Sequence, residues 1–210
     1  MRPRISVFPL LLLGLTACPG TVYQANRIPE SQALQQPASV NRPGPILHEP
    51  SGLEFGEWYG EFERVTAMRF DERGLDVGFG YNLRKRDCLI ATTFYVYPAP
   101  RMSFMGAAPE VVSSVEADWL AQEFARSRAE VEYYHHMESP EVQPCSTTAD
   151  GATLPGTALT FRERNTTGEL KLFVYRHQWF LKYRFTYGDA CGDVQPRLEK
   201  LIAGMPWVAR

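Results

Sequence analysis

The chain is short of cysteine, of histidine, of excess positive charge and of long apolar runs. Four cysteines in 210 residues are too few for a scaffold built on disulfides. With 22 Lys+Arg against 24 Asp+Glu, the net charge is -2, which excludes a surface designed to neutralise phosphates and so a nucleic-acid partner. The apolar run Ile5–Leu15 covers eleven residues, counting Pro9 and Gly14, whereas a membrane-spanning helix needs about 20. No HExxH, HxH, CxxC, GxSxG or Walker-type loop occurs, and Gly78-Phe79-Gly80 falls within a strand pattern rather than after one. His135 and His136 are adjacent, so on a helix they diverge by about 100° and cannot easily share one metal ion. The sequence therefore names no catalytic residue, no metal ligand and no cofactor. With 44% apolar residues, the composition does exclude global disorder and supplies a packed core.

The N-terminus reads as an address. Arg2 and Arg4 precede the apolar run, and the run ends in Leu15-Thr16-Ala17-Cys18. A basic start, a short apolar stretch and small residues form a secretory signal. The tetrapeptide resembles the lipobox of bacterial lipoproteins, in which an aliphatic and two small residues precede a cysteine. That resemblance covers only the signal region. It implies diacylglycerol on the Cys18 thiol, cleavage after Ala17 and a fatty-acylated new N-terminus (palmitate being a typical chain). Several acyl chains give a stable anchor, since each buried CH₂ contributes about 0.8 kcal/mol. Position 19 is Pro rather than Asp, and in lipoproteins that choice points to the outer membrane rather than the inner where two are present. Loss of residues 1–17 leaves 20 Lys+Arg against 24 Asp+Glu, so no polybasic segment assists the lipid.

Residues 18–50 are expected to form a tether. Between positions 19 and 50 there are six prolines and four glutamines, with no hydrophobic periodicity, a composition that favours extended, solvated chain. A single globular domain is expected over 51–210. Val77, Phe79 and Tyr81 alternate, as do Trp179, Leu181, Tyr183, Phe185 and Tyr187, marking strands. Between Pro109 and Met137 the period changes to that of a helix, with Ala117, Leu120, Phe124, Val131 and Tyr134 at helical spacing and Val112, Val115 and Trp119 widening the apolar stripe. Leu198, Leu201 and Ile202 suggest a short closing helix. The order is three strands, a long helix at about 110–136, three strands and a short helix. This predicts the α+β class: an antiparallel sheet of five or six strands, one face largely wet, with both helices on the buried face. The element order loosely resembles that of Mog1/PsbP-like proteins.

With Cys18 assigned to lipid, three cysteines remain. Turn residues around Cys145 and Cys191 favour pairing those two, pairings through Cys88 being the alternatives. The connection Pro98–Ala108 carries Met102, Phe104 and Met105, apolar residues of the kind that make adaptable contacts. These three are the candidate partner contact. The expected function is that of a membrane-anchored envelope lipoprotein facing the periplasm, a non-catalytic binding or assembly module for an envelope protein or ligand. The alternatives are an envelope hydrolase whose active site is not contiguous in sequence, and a carrier of an apolar ligand.

Overall fold

The computed structural model describes residues 33–135 and 137–208. Cys18, residues 1–17 and the first part of the expected tether lie outside them, as does His136. The chain begins with β1 (Ala33–Ser39), β2 (Ile46–His48), β3 (Leu53–Phe55) and β4 (Trp58–Tyr59). A meander follows: β5 (Phe62–Asp71), β6 (Val77–Lys85) and β7 (Cys88–Pro98). Helix α1 (Pro109–Tyr134) leads to a second meander, β8 (Glu138–Ala149), β9 (Ala152–Glu163), β10 (Thr166–Tyr175) and β11 (Trp179–Gly188). A single 3-10 turn, Asp189–Cys191, precedes α2 (Gln195–Ala203).

The sheet has nine strands in the order β1-β5-β6-β7-β11-β10-β9-β8, with β4 added on β5, and β2 and β3 form a separate hairpin. Every pairing is antiparallel. The class is α+β as expected, but with more than five or six strands. The principal strands that were missed, β1 and β8, are the two edges, and they contain Pro37, Pro140 and Pro144. An edge strand has one side free of ladder bonds and tolerates proline there, which hides it from a pattern search.

The helices lie on opposite faces, not together. On one face α1 packs Trp119, Leu120, Phe124 and Val131 against Leu159, Phe161, Leu170, Leu172 and Phe180. On the other, Leu198, Leu201, Met205 and Trp207 join Leu53, Phe55, Phe79, Phe94, Leu181 and Tyr183. The face expected to be wet, which carries Lys182 and Arg184, is covered by α1. Lys182 is only 9% exposed, its stem covered by the helix. Pro109 sits in the first turn of α1, where its missing N–H costs nothing.

Residues 33–50 are not all tether. β1 pairs with β5, and β2 packs Ile46 and His48 into the domain. Arg64 holds this segment. Its Nε donates to Asn41 Oδ1 at 3.2 Å, Nη1 to the carbonyls of Phe55 and Gly56 at 2.8 and 3.1 Å, and Nη2 to those of Arg42 and Gly44, both at 2.7 Å. All five donors of the buried guanidinium are thus used on the chain's own oxygens.

The disulfide joins Cys88 to Cys191, residues 103 apart, and Cys145 is a free thiol. The expected Cys145–Cys191 bridge is therefore wrong. Cys145 lies in edge strand β8 opposite Gly156, while the 3-10 turn brings Cys191 to the start of β7. Two glycines serve the sheet by being small. Gly168 lies in β10 opposite Phe161, and a Cβ there would stand 2.2 Å from the ring. Gly156 in β9 faces Phe173 in the same way, at 2.4 Å.

Candidate functional site

A cavity of about 390 Å³ opens where three loops meet, lined in part by Leu75, Arg101, Met102, Ser103, His177 and Trp179. Leu75 comes from the β5–β6 turn, whose shape Asp71 fixes by accepting from the backbone N–H of Arg73 and of Asp76 at 3.1 and 2.9 Å. Gly74 there has φ +67°, a conformation that favours glycine. The next wall is the end of β7, tied to the β10–β11 turn by the Ala99 N–H donating to the Gln178 carbonyl at 2.8 Å. Behind Trp179 stands His48, its ring edge-on at 5.3 Å. His48 Nε2 donates to the Gly74 carbonyl at 2.9 Å, and Nδ1 lies 2.6 Å from Ser51 Oγ. Burial lowers the His48 pKa and so favours the neutral ring, in which Nδ1 accepts from Ser51. A residue expected in the tether thus supports the cavity.

The β10–β11 turn places two consecutive non-glycine residues in the left-handed region. Arg176 and His177 have φ of 49° and 56°, and each such non-glycine residue costs of order 1–2 kcal/mol. An ion pair and a hydrogen bond hold them. Arg176 Nε donates to Asp150 at 2.7 Å, and His177 Nδ1 donates to Glu116 of α1 at 2.5 Å.

The three loop residues singled out by sequence have different fates. Phe104 is half-buried, packed against Trp119 and His177 with ring centroids 5.7 Å away in both cases. Met102 is half-buried and lines the cavity. Met105 is 94% exposed. The loop is thus pinned by Phe104, leaving Met105 at its tip.

Compared with known proteins, the chain matches no protein-family model, and no curated protein matches it in sequence.

A second group of ionisable residues lies between α1 and the sheet. Lys182 Nζ sits 4.9 and 5.4 Å from the rings of Tyr95 and Tyr97 and 3.8 Å from Glu130. Tyr97 donates to Glu123 at 2.8 Å, and Arg126 also binds Glu123. Burial lowers the Lys182 pKa, with Glu130 opposing it. Asp76 is raised to about 7, first by burial, with Lys182 partly offsetting this. These residues are far apart in sequence, and only the register of Tyr95 opposite Lys182 brings them together.

The Asp76 shift has a sign that can be tested. A carboxyl whose folded pKa lies above its unfolded value stabilises the protein below about pH 4, and this contribution is lost as pH rises through about 7. A few kcal/mol are at stake by the usual conversion. His48 works oppositely, stabilising above pH 6.5 and losing that contribution on acidification. Asp76→Asn should therefore flatten the fall in stability between pH 4 and 7, read as urea midpoints across pH. An unchanged profile would show that Asp76 titrates normally.

Among the described residues, no group of three or more His, Cys, Asp or Glu could hold a metal ion, and no helix is long and apolar enough to cross a membrane.

Proposed function

We propose that this chain is a bacterial envelope lipoprotein, acylated at Cys18 and facing the periplasm, whose domain is a non-catalytic binding or assembly module. The lipobox-like Leu15-Thr16-Ala17-Cys18 supports the anchor, and Pro19 favours the outer membrane. The Cys88–Cys191 disulfide suits an oxidising compartment. The binding role rests on one observation: Met105 stands 94% exposed on a loop that Phe104 fixes to the domain. A large apolar side chain presented on a fixed loop is the form a contact anchor takes. The envelope partner docks on this loop tip.

Two measurements test this. Cys18→Ser should abolish radiolabelled palmitate incorporation and release the protein from the membrane fraction. Membrane retention without label would remove the lipoprotein reading. Met105→Asp should reduce recovery of crosslinked envelope partners at least tenfold while leaving the urea midpoint unchanged. Identical crosslinks in both proteins would remove the loop assignment.

One arrangement favours a second reading. Ser103 and His177 line the same cavity, and Glu116 orients His177. These are the residue types of a hydrolytic triad, although Ser103 and His177 share no hydrogen bond. A hydrolase would label with a fluorophosphonate probe, and Ser103→Ala would abolish the label. Absence of labelling in the folded wild-type protein counts against it.

A further inference from the structure

We infer that the cavity between the β7–α1 loop and the β10–β11 turn is a binding site for a small organic anion, an apolar body carrying one negative group. This goes beyond the anchored-module reading and stands whether or not the loop tip docks a protein.

Size comes first. A volume of about 390 Å³ is many times the roughly 30 Å³ share of one water and falls in the range of small-ligand sites. Its walls set the body of the ligand. Leu75, Pro98, Ala99, Met102 and Trp179 give aliphatic, thioether and indole surface. The indole is held from behind by His48, so that wall is preorganised.

The rim sets the charge. Arg101 forms no ion pair or hydrogen bond among the described residues, although it lines the cavity. The lining contains no Asp or Glu. Glu116, tied to the cavity through His177, accepts from His177 Nδ1. That leaves His177 Nε2 without a partner among the described residues. A guanidinium with five free donors is the side chain best fitted to a carboxylate, sulfonate or phosphate group. The strained backbone at Arg176 and His177, fixed by Asp150 and Glu116, holds this rim in one geometry. Strain retained in that way is common at ligand clamps.

The test compares two probes of nearly equal shape on the full acylated chain in detergent, by isothermal titration calorimetry. Naphthalene-2-sulfonate carries the negative group, and naphthalene-2-sulfonamide does not. The wild-type protein should bind the sulfonate saturably at one site, at least tenfold tighter than the sulfonamide. Arg101→Gln should weaken the sulfonate about tenfold and leave the sulfonamide unchanged, while Arg101→Lys keeps most of the preference. Met102→Glu should abolish saturable binding of both. Equal affinity for the two probes overturns the inference, as does insensitivity to Arg101 or Met102, or absence of saturable binding. Met105→Asp, which tests the docking loop, should leave sulfonate binding intact, so the two proposals fail separately.

Discussion

Arg64→Met is expected to destabilise the domain by about 3–5 kcal/mol and to release the segment before β3. The guanidinium makes five hydrogen bonds, four of them to carbonyls on two separate stretches, Arg42–Gly44 and Phe55–Gly56. Those stretches bracket the β2–β3 hairpin, so one side chain closes both ends of it. Hydrogen bonds to a charged group contribute about 1.5–3 kcal/mol each, and carbonyls left unpartnered in a buried place add to the loss. Values above about 4–5 kcal/mol are rare, which sets the upper figure. Methionine keeps much of the stem packing, so the change reports on the donors. Arg64→Lys should recover only part of the loss, because an ammonium has three donors in a compact tetrahedral arrangement. Urea midpoints measure the loss, and hydrogen exchange of the β2 amides measures the release. If Arg64→Met costs under about 1 kcal/mol and those amides stay protected, the cage does not carry the segment.

Breaking the Cys88–Cys191 bridge is the second large effect. The cysteines are 103 residues apart, and a bridge closing a loop of that length stabilises by up to about 4–5 kcal/mol, with 2–5 kcal/mol typical on removal. The loop contains β7, α1 and β8–β11, so the reduced unfolded chain regains freedom over most of the domain. The double variant Cys88→Ser, Cys191→Ser should lower the melting temperature by about 5–15 °C. Cys145 has no partner left in the domain of the double variant, so no new pairing rescues it. Burial pushes its thiol up to about 11, so at pH 8 it remains protonated and a poor nucleophile. Iodoacetamide at pH 8 should spare Cys145 in the folded protein, and Cys145→Ser should leave the melting temperature within a degree or two. A bridge that can be removed with no thermal cost would place its role elsewhere than in stability.

Much of this architecture was legible beforehand. Alternation marked β6 and β11, and the change of period marked α1 to within two residues at its C-terminus. What was hidden has physical reasons. Edge strands β1 and β8 carry prolines that break the alternating pattern. The second covered face was concealed by Lys182 and Arg184, whose long stems tolerate burial while their charges find Glu130 and His135. Tyr134 fitted the helical stripe in sequence, yet it is 71% exposed. The cavity was only partly visible. Arg101, Met102 and Ser103 stood out as an apolar-rich connection, but Leu75, His177 and Trp179 reach it through pairings of strands distant in sequence. His48 was lost in a proline-rich stretch that gives no periodic signal.

The two phenylalanine–glycine pairs of β9 and β10 bear on how the second meander avoids misassembly. A slip of one residue would turn each strand's side chains to the wrong face, which burial alone forbids. A slip of two residues keeps every side chain on its proper face, so the hydrophobic pattern cannot reject it. It would, however, set Phe161 against Thr166 or Leu170, and Phe173 against Leu154 or Ala158, in place of Gly168 and Gly156. In each case a Cβ would intrude where the ring now lies, on both faces of the same hairpin at once. The pairs thus act as a two-sided lock on alignment, rejecting the one error that polarity leaves permitted.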